Sequence, residues 1–205
     1  MKKIFAFIIP LFLLLACSNP QGEQKANENT PKMPNDKKVL IVFFSKTGEN
    51  YGVGNIKIGN THKVAMEIAR QTNGTLFEIR PVQEYPIGYK DCVEVAKKEK
   101  ASKARPAIKE NVKDIAQYDV IYLGYPNWGN DAPMPVYTFL ENNNLNGKQV
   151  YPFVTHEGSG IGNSVNALKG AFPGLIFNEG FVIFGHIAQN DAAYLEKAVK
   201  IWLDK

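Results

Sequence analysis

The sequence predicts an α/β fold: five parallel strands in the order 2-1-3-4-5, with helices on both faces of the sheet. Three observations carry this. Six apolar residues, Val39 to Phe44, run without polar alternation, as in a strand buried on both faces. Segments of strand type then alternate with segments of helical period, and parallel neighbours require long, right-handed crossovers of this kind. Finally, irregular loops follow the first, third and fourth strands. The predicted order brings those three strand ends to one edge, where such sheets bind ligands.

The first strand stops at Ser45, Thr47 and Gly48, and a turn cluster, Gly59-Asn60-Thr61, precedes a helix whose apolar period starts at Val64. Val64, Ile68 and Ala65, Ala69 form its stripe, and Asn73-Gly74 stops it. Thr75 to Ile79 reads as the second strand, ended by Arg80-Pro81. Tyr85 to Ala104 is mostly helical, with Cys92 on an apolar face, and Val112 to Gln117 gives at most a short helix. Asp119 to Gly124 is the third strand, halted by the loop Tyr125-Pro126-Asn127-Trp128-Gly129-Asn130. Pro133 and Pro135 suit a first helical turn, and Val136 to Glu141 continues it. Asn146-Gly147 leads into the fourth strand, Gln149 to Thr155, which breaks at His156-Glu157-Gly158-Ser159-Gly160. Ile161 to Ala171 is helical, Gly180 to Phe184 is the fifth strand, and Asp191 caps a closing helix to Leu203.

A chain of 205 residues with 44% hydrophobic and 21% charged side chains is long enough for one good core. Its beginning reads differently. Lys2 and Lys3 precede an apolar stretch, Ile4 to Ala16, shorter than the roughly 20 residues of a membrane span, which is signal-peptide anatomy. Leu14-Leu15-Ala16-Cys17 resembles the bacterial lipoprotein signal, in which the cysteine becomes the acylated first residue. Residues 1–16 are therefore expected to be removed and Cys17 lipidated. Residues 17–38, rich in Asn, Gln, Lys and Pro, are expected to form a disordered tether. The folded domain would span 39–205, anchored to a bacterial membrane on its extracytoplasmic side by lipid alone.

Several functions are excluded or disfavoured by residue type. The formal net charge of +4 and the lack of a basic block interleaved with aromatics argue against nucleic acid. The run Lys97, Lys98, Lys100, Lys103, Arg105 reads as a solvated helix face. With Cys17 lipidated, Cys92 has no partner for a disulfide. His62, His156 and His186 lack zinc-ligand spacing. Gly54 to Thr61, GNIKIGNT, approaches a nucleotide-triphosphate loop, but Asn60 stands where the phosphate-gripping lysine is needed. Gly158, Gly160 and Gly162 approach a dinucleotide fingerprint, with Asn163 in place of the third glycine and the fourth strand in place of the first.

What remains is one phosphate held by neutral donors: the hydroxyls of Ser45 and Thr47, the amide of Asn60, and Thr61 at a helix start. The plainer alternatives are turn chemistry for Ser45 and Thr47 and simple capping for Thr61.

The segments FFSKTG, GNTHKVA, LGYPNWGNDAPMPVYTFLE and THEGSG resemble the flavodoxin family, in particular a branch with an extended first loop. The similarity runs from Lys38 to Lys205. It implies a flavodoxin-like three-layer sandwich and FMN as cofactor; flavodoxins are themselves a known instance of the strand-end rule. By this resemblance the phosphate lies on Ser45, Thr47, Asn60 and Thr61. The isoalloxazine lies against Pro126, Asn127, Trp128, Gly129 and Asn130 and against Thr155, His156, Glu157, Gly158, Ser159 and Gly160. Trp128 would stack on the ring unless it is spent in the core. Gly129, without a Cβ, allows its peptide close to the flavin N5. His156 and Glu157 are candidate modulators of protonation, or merely surface residues.

Three departures from ordinary flavodoxins stand out. Glu49 to Gly59 lengthens the phosphate loop, and Tyr51, Val53, Ile56 and Ile58 suit a small hairpin that covers the cofactor or touches a partner. The chain is near neutral where flavodoxins are acidic, so its redox partner differs. The loop after the fourth strand lacks an aromatic, which leaves one ring face open. An electron carrier outside the cytoplasm is the leading expectation, exchanging electrons with a redox partner protein or a small quinone-like acceptor. An FMN-dependent NAD(P)H quinone or nitro-compound reductase is the alternative, and a flavin-free binding module on the same fold is the third.

Overall fold

The computed structural model describes residues 37–205. The signal segment, Cys17 and the tether up to residue 36 lie outside the described residues. β1 (Val39–Phe43) is buried at every position, as its unbroken apolar run requires. It pairs in parallel with β4 (Thr75–Glu78) on one side and β5 (Val120–Pro126) on the other. β6 (Gln149–His156) follows beside β5, and β7 (Ile176–Phe177) and β8 (Phe181–Phe184) both pair with β6. With β7 and β8 counted as one position, the order is the expected 2-1-3-4-5.

The alternation of side chains across β1, β5 and β6 makes two cores. Leu40, Val42, Ile121, Leu123, Val150 and Val154 pack with Val136, Phe139 and Leu140 of α3 (Met134–Asn142) and Leu168 of α4 (Ser164–Ala171). On the other face Ile41, Phe43, Tyr122, Phe153 and Ile183 meet three helices. These are α1 (Asn60–Thr72), α5 (Gly185–Asn190) and α6 (Ala192–Leu203), through Val64, Ile68, Ala188, Leu195 and Val199. Each such buried large apolar side chain contributes about 1.5–3 kcal/mol, so the central strands anchor both layers. α2 (Tyr89–Ser102) buries only Cys92 and leaves most of its surface to solvent and to the loops beside it.

Several boundaries differ from the sequence reading. α1 begins at Asn60, before the apolar period does, with Gly59 as its N-cap, and ends as expected at Asn73, which is left-handed at φ 54°. The third and fourth strands run on to Pro126 and His156, because the ladder continues through Pro126↔Thr155. Helix α2 starts at Tyr89 and α4 at Ser164, each later than expected. The fifth strand is split, since Asn178 to Gly180 interrupt it, and α5 follows it directly. The stretch before the third strand forms only one 3-10 turn, Ile115–Gln117. The predicted hairpin is present: β2 (Gly48–Asn50) and β3 (Gly54–Ile56) pair antiparallel around a tip at Tyr51 to Val53. Asp191 caps α6 by accepting from the Tyr194 N–H. Lys38, assigned to the tether, already joins the sheet margin, donating its N–H to Asp119 Oδ2 at 2.8 Å.

Candidate cofactor site

The carboxyl ends of β1, β5 and β6 converge, and the loops leaving them meet the start of α1. Ser45 Oγ accepts from the His62 N–H at 3.1 Å, which ties the first loop to that helix start. Gly59 makes the approach possible, since a Cβ there would lie 2.2 Å from Ser45 Oγ and 2.6 Å from the Lys46 carbonyl oxygen. No side chain of the N-cap closes α1 and its first turn holds no acidic residue. The first-turn N–H groups of Asn60 and Thr61 thus have no intrahelical acceptor, and the helix dipole favours an anion before them.

Behind this end, the buried hydroxyls of Thr61 and Thr155 bond at 2.8 Å and tie α1 to β6. Asn60 Oδ1 accepts from Gln189 Nε2 at 2.9 Å. Lys46 reaches the other way. Its ammonium donates to the carbonyls of Thr47, Glu49 and Ile87 at 2.9, 3.0 and 3.0 Å, fastening the hairpin to the segment before α2. Burial lowers its pKa from the ordinary lysine range, with the Cys92 thiol and the Glu49 carboxylate opposing. Glu49 Oε2 accepts from the Tyr89 N–H at 2.8 Å, and the Tyr51 and Tyr89 rings sit 5.8 Å apart.

These elements enclose a cavity of about 400 Å³. Of the residues expected at the site, Asn60, Pro126, Asn127, Trp128, Gly129, Thr155, His156, Glu157 and Ser159 line it. Ser45 and Thr61 adjoin it through the contacts just given. Thr47 is exposed, and its carbonyl is occupied by Lys46. Asn130, Gly158 and Gly160 shape the walls instead. Asn130, at φ 68°, accepts from the Asn163 N–H; Gly160 O accepts from Asn127 Nδ2 at 2.8 Å; the Gly158 N–H donates to His156 Nδ1 at 2.9 Å.

Asn127 is the most informative of these residues. Its Nδ2 is used by Gly160, so its Oδ1 must be the free end, and that atom is the one buried side-chain acceptor without a partner among the described residues. A buried acceptor left in this state fits a ligand N–H. Trp128 meets both expectations at once. Its ring is braced edge-on by Phe44 at 5.3 Å and Tyr85 at 5.0 Å, and it also forms cavity wall.

The titratable groups are arranged differently from the expectation. His156 and Glu157 are not a working pair. Glu157 turns to α5, accepting from the His186 N–H and meeting His186 Nδ1, both at 2.7 Å. His156 packs on Phe184, with ring centroids 4.5 Å apart, and burial lowers its pKa, with Glu157 opposing and His186 adding. It is therefore neutral at pH 7. His186, one of three scattered histidines in the sequence, is thus brought to the rim by a partner 29 positions away.

Sequence reasoning also missed the α2 wall: Tyr89, Cys92, Val93, Ala96, Lys97 and Lys100 all line the cavity. Lys97 and Lys100, read as part of a solvated face, stand at its margin. The Cys92 thiol is pushed up to about 11, by burial first and by Glu99 in addition, with Lys46 opposing. Among the described residues no group of His, Cys, Asp and Glu could hold a metal ion, and no helix is long and apolar enough to cross a membrane.

The family profile described as flavodoxin matches residues 38–201. No curated protein matches the sequence. Among solved structures, a protein of Bacteroides eggerthii assigned as a flavoprotein is 35% identical; the alignment covers 82% of this chain and 97% of that one, with a TM-score of 0.67. A second, from Bacteroides uniformis, is 31% identical over 82% of this chain and 99% of its own, again with a TM-score of 0.67. A flavoprotein of Lactobacillus acidophilus, solved in complex with FMN, shares the fold at 22% identity, 71% and 93% coverage and a TM-score of 0.59.

Proposed function

Because the chain belongs to the flavodoxin family, we propose that it binds FMN in this cavity and works as a redox protein, carrying electrons outside the cytoplasm. The observation that carries the reading is that Asn60, at the open start of α1, and Trp128, with the orphaned Asn127 acceptor beside it, line one and the same cavity. An anion-ready helix start and a flat aromatic wall are what a ring-bearing monophosphate needs at its two ends. FMN, when bound, supplies one- and two-electron chemistry.

The chain's own residues do the rest. Ser45, Asn60, Thr61 and the first N–H groups of α1 would hold the phosphate. Trp128 and Gly129 would face the ring, and Asn127, whose Oδ1 has no partner among the described residues, would offer an acceptor to the N–H of its pyrimidine edge. His156, neutral and with Nδ1 occupied by Gly158, carries its proton on Nε2. The Lys2-Lys3 and Leu14-to-Cys17 pattern supports lipid anchoring on the extracytoplasmic side, and a redox partner protein or a small quinone-like acceptor is the expected electron exchange partner.

A second reading, an FMN-dependent NAD(P)H reductase, is favoured by one observation. The cavity continues past the ring-facing loops to Tyr51 and Tyr89, two partly exposed aromatics at its mouth. The test is titration of the domain from Lys38 onward with FMN. It is expected to give flavin absorption near unit occupancy and quenched emission, and Trp128→Ala should lose the stacking perturbation. A protein that stays colourless would overturn the proposal in favour of a flavin-free module. Rapid turnover with NADPH and a quinone would favour the reductase over the carrier.

A further inference from the structure

We infer that Lys100 is a positioning residue for the cofactor: it holds the Gly129 carbonyl, fixes the turn that presents Trp128, and places a positive charge on that cavity wall. This rests on the FMN reading. Lys100 lies on α2, outside the four segments that carry the resemblance, yet its ammonium donates to Gly129 O at 2.6 Å, across 29 positions of sequence. A short bond from an ammonium to a carbonyl is stronger than its neutral counterpart.

Gly129 sits at φ +58°, in the left-handed region, and nothing lies within 4 Å of where its Cβ would be, so no neighbour braces its α-carbon on that side. Besides Lys100, the turn is closed by the Trp128 N–H donating to Asp131 O at 2.9 Å. Lys100 is itself well placed. α2 is pinned at its start by Glu49 on the Tyr89 N–H, and next to Lys100 by the Tyr85 hydroxyl on Glu99.

The charge is the second half of the inference. Three lysines line the cavity. Lys46 is spent on three carbonyls, and Lys97 on Glu94 at 2.9 Å. Lys100 alone reaches the ring-facing loop. It is ion-paired with Asp131, Nζ to Oδ2 at 3.5 Å, and Oδ1 of that carboxylate accepts from the Tyr137 hydroxyl and the Ala132 N–H, so removing Lys100 would leave a negative charge uncompensated beside the loop. Glu157, the one carboxylate lining the cavity, is taken by His186. Adding electrons to a bound ring adds negative charge, so a cation at this wall binds the reduced cofactor more tightly than the oxidised one. By linkage it raises the potential.

The experiment uses the full chain in detergent and three variants, Lys100→Met, Lys100→Gln and Lys100→Arg. FMN affinity is read by fluorescence quenching and the two-electron potential by equilibration with reference dyes. Lys100→Met is expected to weaken FMN binding by up to about tenfold, the cost of ordering on binding a Gly129 turn that the lysine no longer holds. A tenfold loss of preference for the reduced cofactor lowers the potential by about 30 mV. Lys100→Gln, a donor without charge, should regain affinity but not potential, and Lys100→Arg should regain both.

In the cofactor-free protein, Lys100→Met should shift the emission of Trp128, a readout that needs no flavin. Wild-type affinity, potential and emission in Lys100→Met would overturn the inference. Equal falls in potential in the Arg and Met variants would overturn its charge half. Failure of the unaltered chain to bind FMN would instead defeat the parent reading.

Discussion

Gly59→Ala tests whether the first loop and the start of α1 are fitted to each other. The backbone at Gly59, φ −66° and ψ 156°, suits any residue, so the obstacle is space alone. A methyl group there would lie 2.2 Å from Ser45 Oγ and 2.6 Å from the Lys46 carbonyl oxygen. Ser45 can rotate away, at the cost of its bond to the His62 N–H, about 1 kcal/mol for a capping hydroxyl. The Lys46 carbonyl is main chain and can retreat only with its loop, an overpacking cost of about 1–3 kcal/mol. Gly59→Ala should therefore destabilise by about 2–4 kcal/mol, a large part of the roughly 5–15 kcal/mol a domain has. It should also loosen FMN by moving the phosphate donors.

Urea unfolding and FMN titration measure the two effects. The double variant Ser45→Ala/Gly59→Ala isolates the first contact. Ser45→Ala alone costs about 1 kcal/mol, but in the Gly59→Ala background that bond is already broken, so the double should match Gly59→Ala to within about 0.5 kcal/mol. Stability and affinity of Gly59→Ala indistinguishable from wild type would refute the close packing of these segments. Strictly additive losses would refute the shared contact.

Two further predictions concern buried titratable groups. Cys92, with its thiol held up at about 11 and its side chain buried, should resist iodoacetamide at pH 8 in the folded protein and react once unfolded in urea; prompt alkylation of the native chain would contradict its placement. His156 has a folded pKa below its ordinary 6.5, so the unfolded chain takes up the proton first. Its contribution is constant above about pH 6.5 and is lost as pH falls through the lowered folded value, where protonation of Nδ1 would also cost the Gly158 bond. The urea midpoint should drop between pH 7 and pH 5 by more in wild type than in His156→Asn, and parallel profiles would contradict this.

The sheet was legible because its information is local. Val39 to Phe44 and Asp119 to Gly124 are continuous apolar runs, and crossover length makes the strands parallel, whereas their order rested on the resemblance to flavodoxins. The hairpin was legible from the alternation of Tyr51, Val53, Ile56 and Ile58, although Tyr51 and Val53 fall in its tip and not in its strands. The start of α1 was placed within a residue, at Thr61, although only the residues from Val64 on carry the apolar stripe. β7 and α5 were missed because a two-residue strand and a helix following a strand without a breaker leave no period to read. The site was half legible. Loops that end strands announce themselves through Trp128 or His156, whereas the α2 wall, the Glu157 to His186 contact and the grip of Lys100 on Gly129 depend on residues distant in sequence. No spacing rule links them, and a lysine run on a weakly amphipathic helix reads as a solvated surface wherever it lies.

The split in the fifth strand bears on how the domain avoids sticking to itself. On one rim of the main sheet the free main-chain groups belong to β7, two residues long, and to β8, four residues long, with Asn178 to Gly180 breaking the line between them. The opposite rim, β4, is also four residues long. Exposed apolar side chains at these margins, Ile176, Val182 and Leu76, would otherwise invite a foreign strand to zip alongside. Interrupted rims of this length offer too few consecutive rungs for such templating, so a domain made at high local density can keep apolar residues at its margins without nucleating fibrous growth.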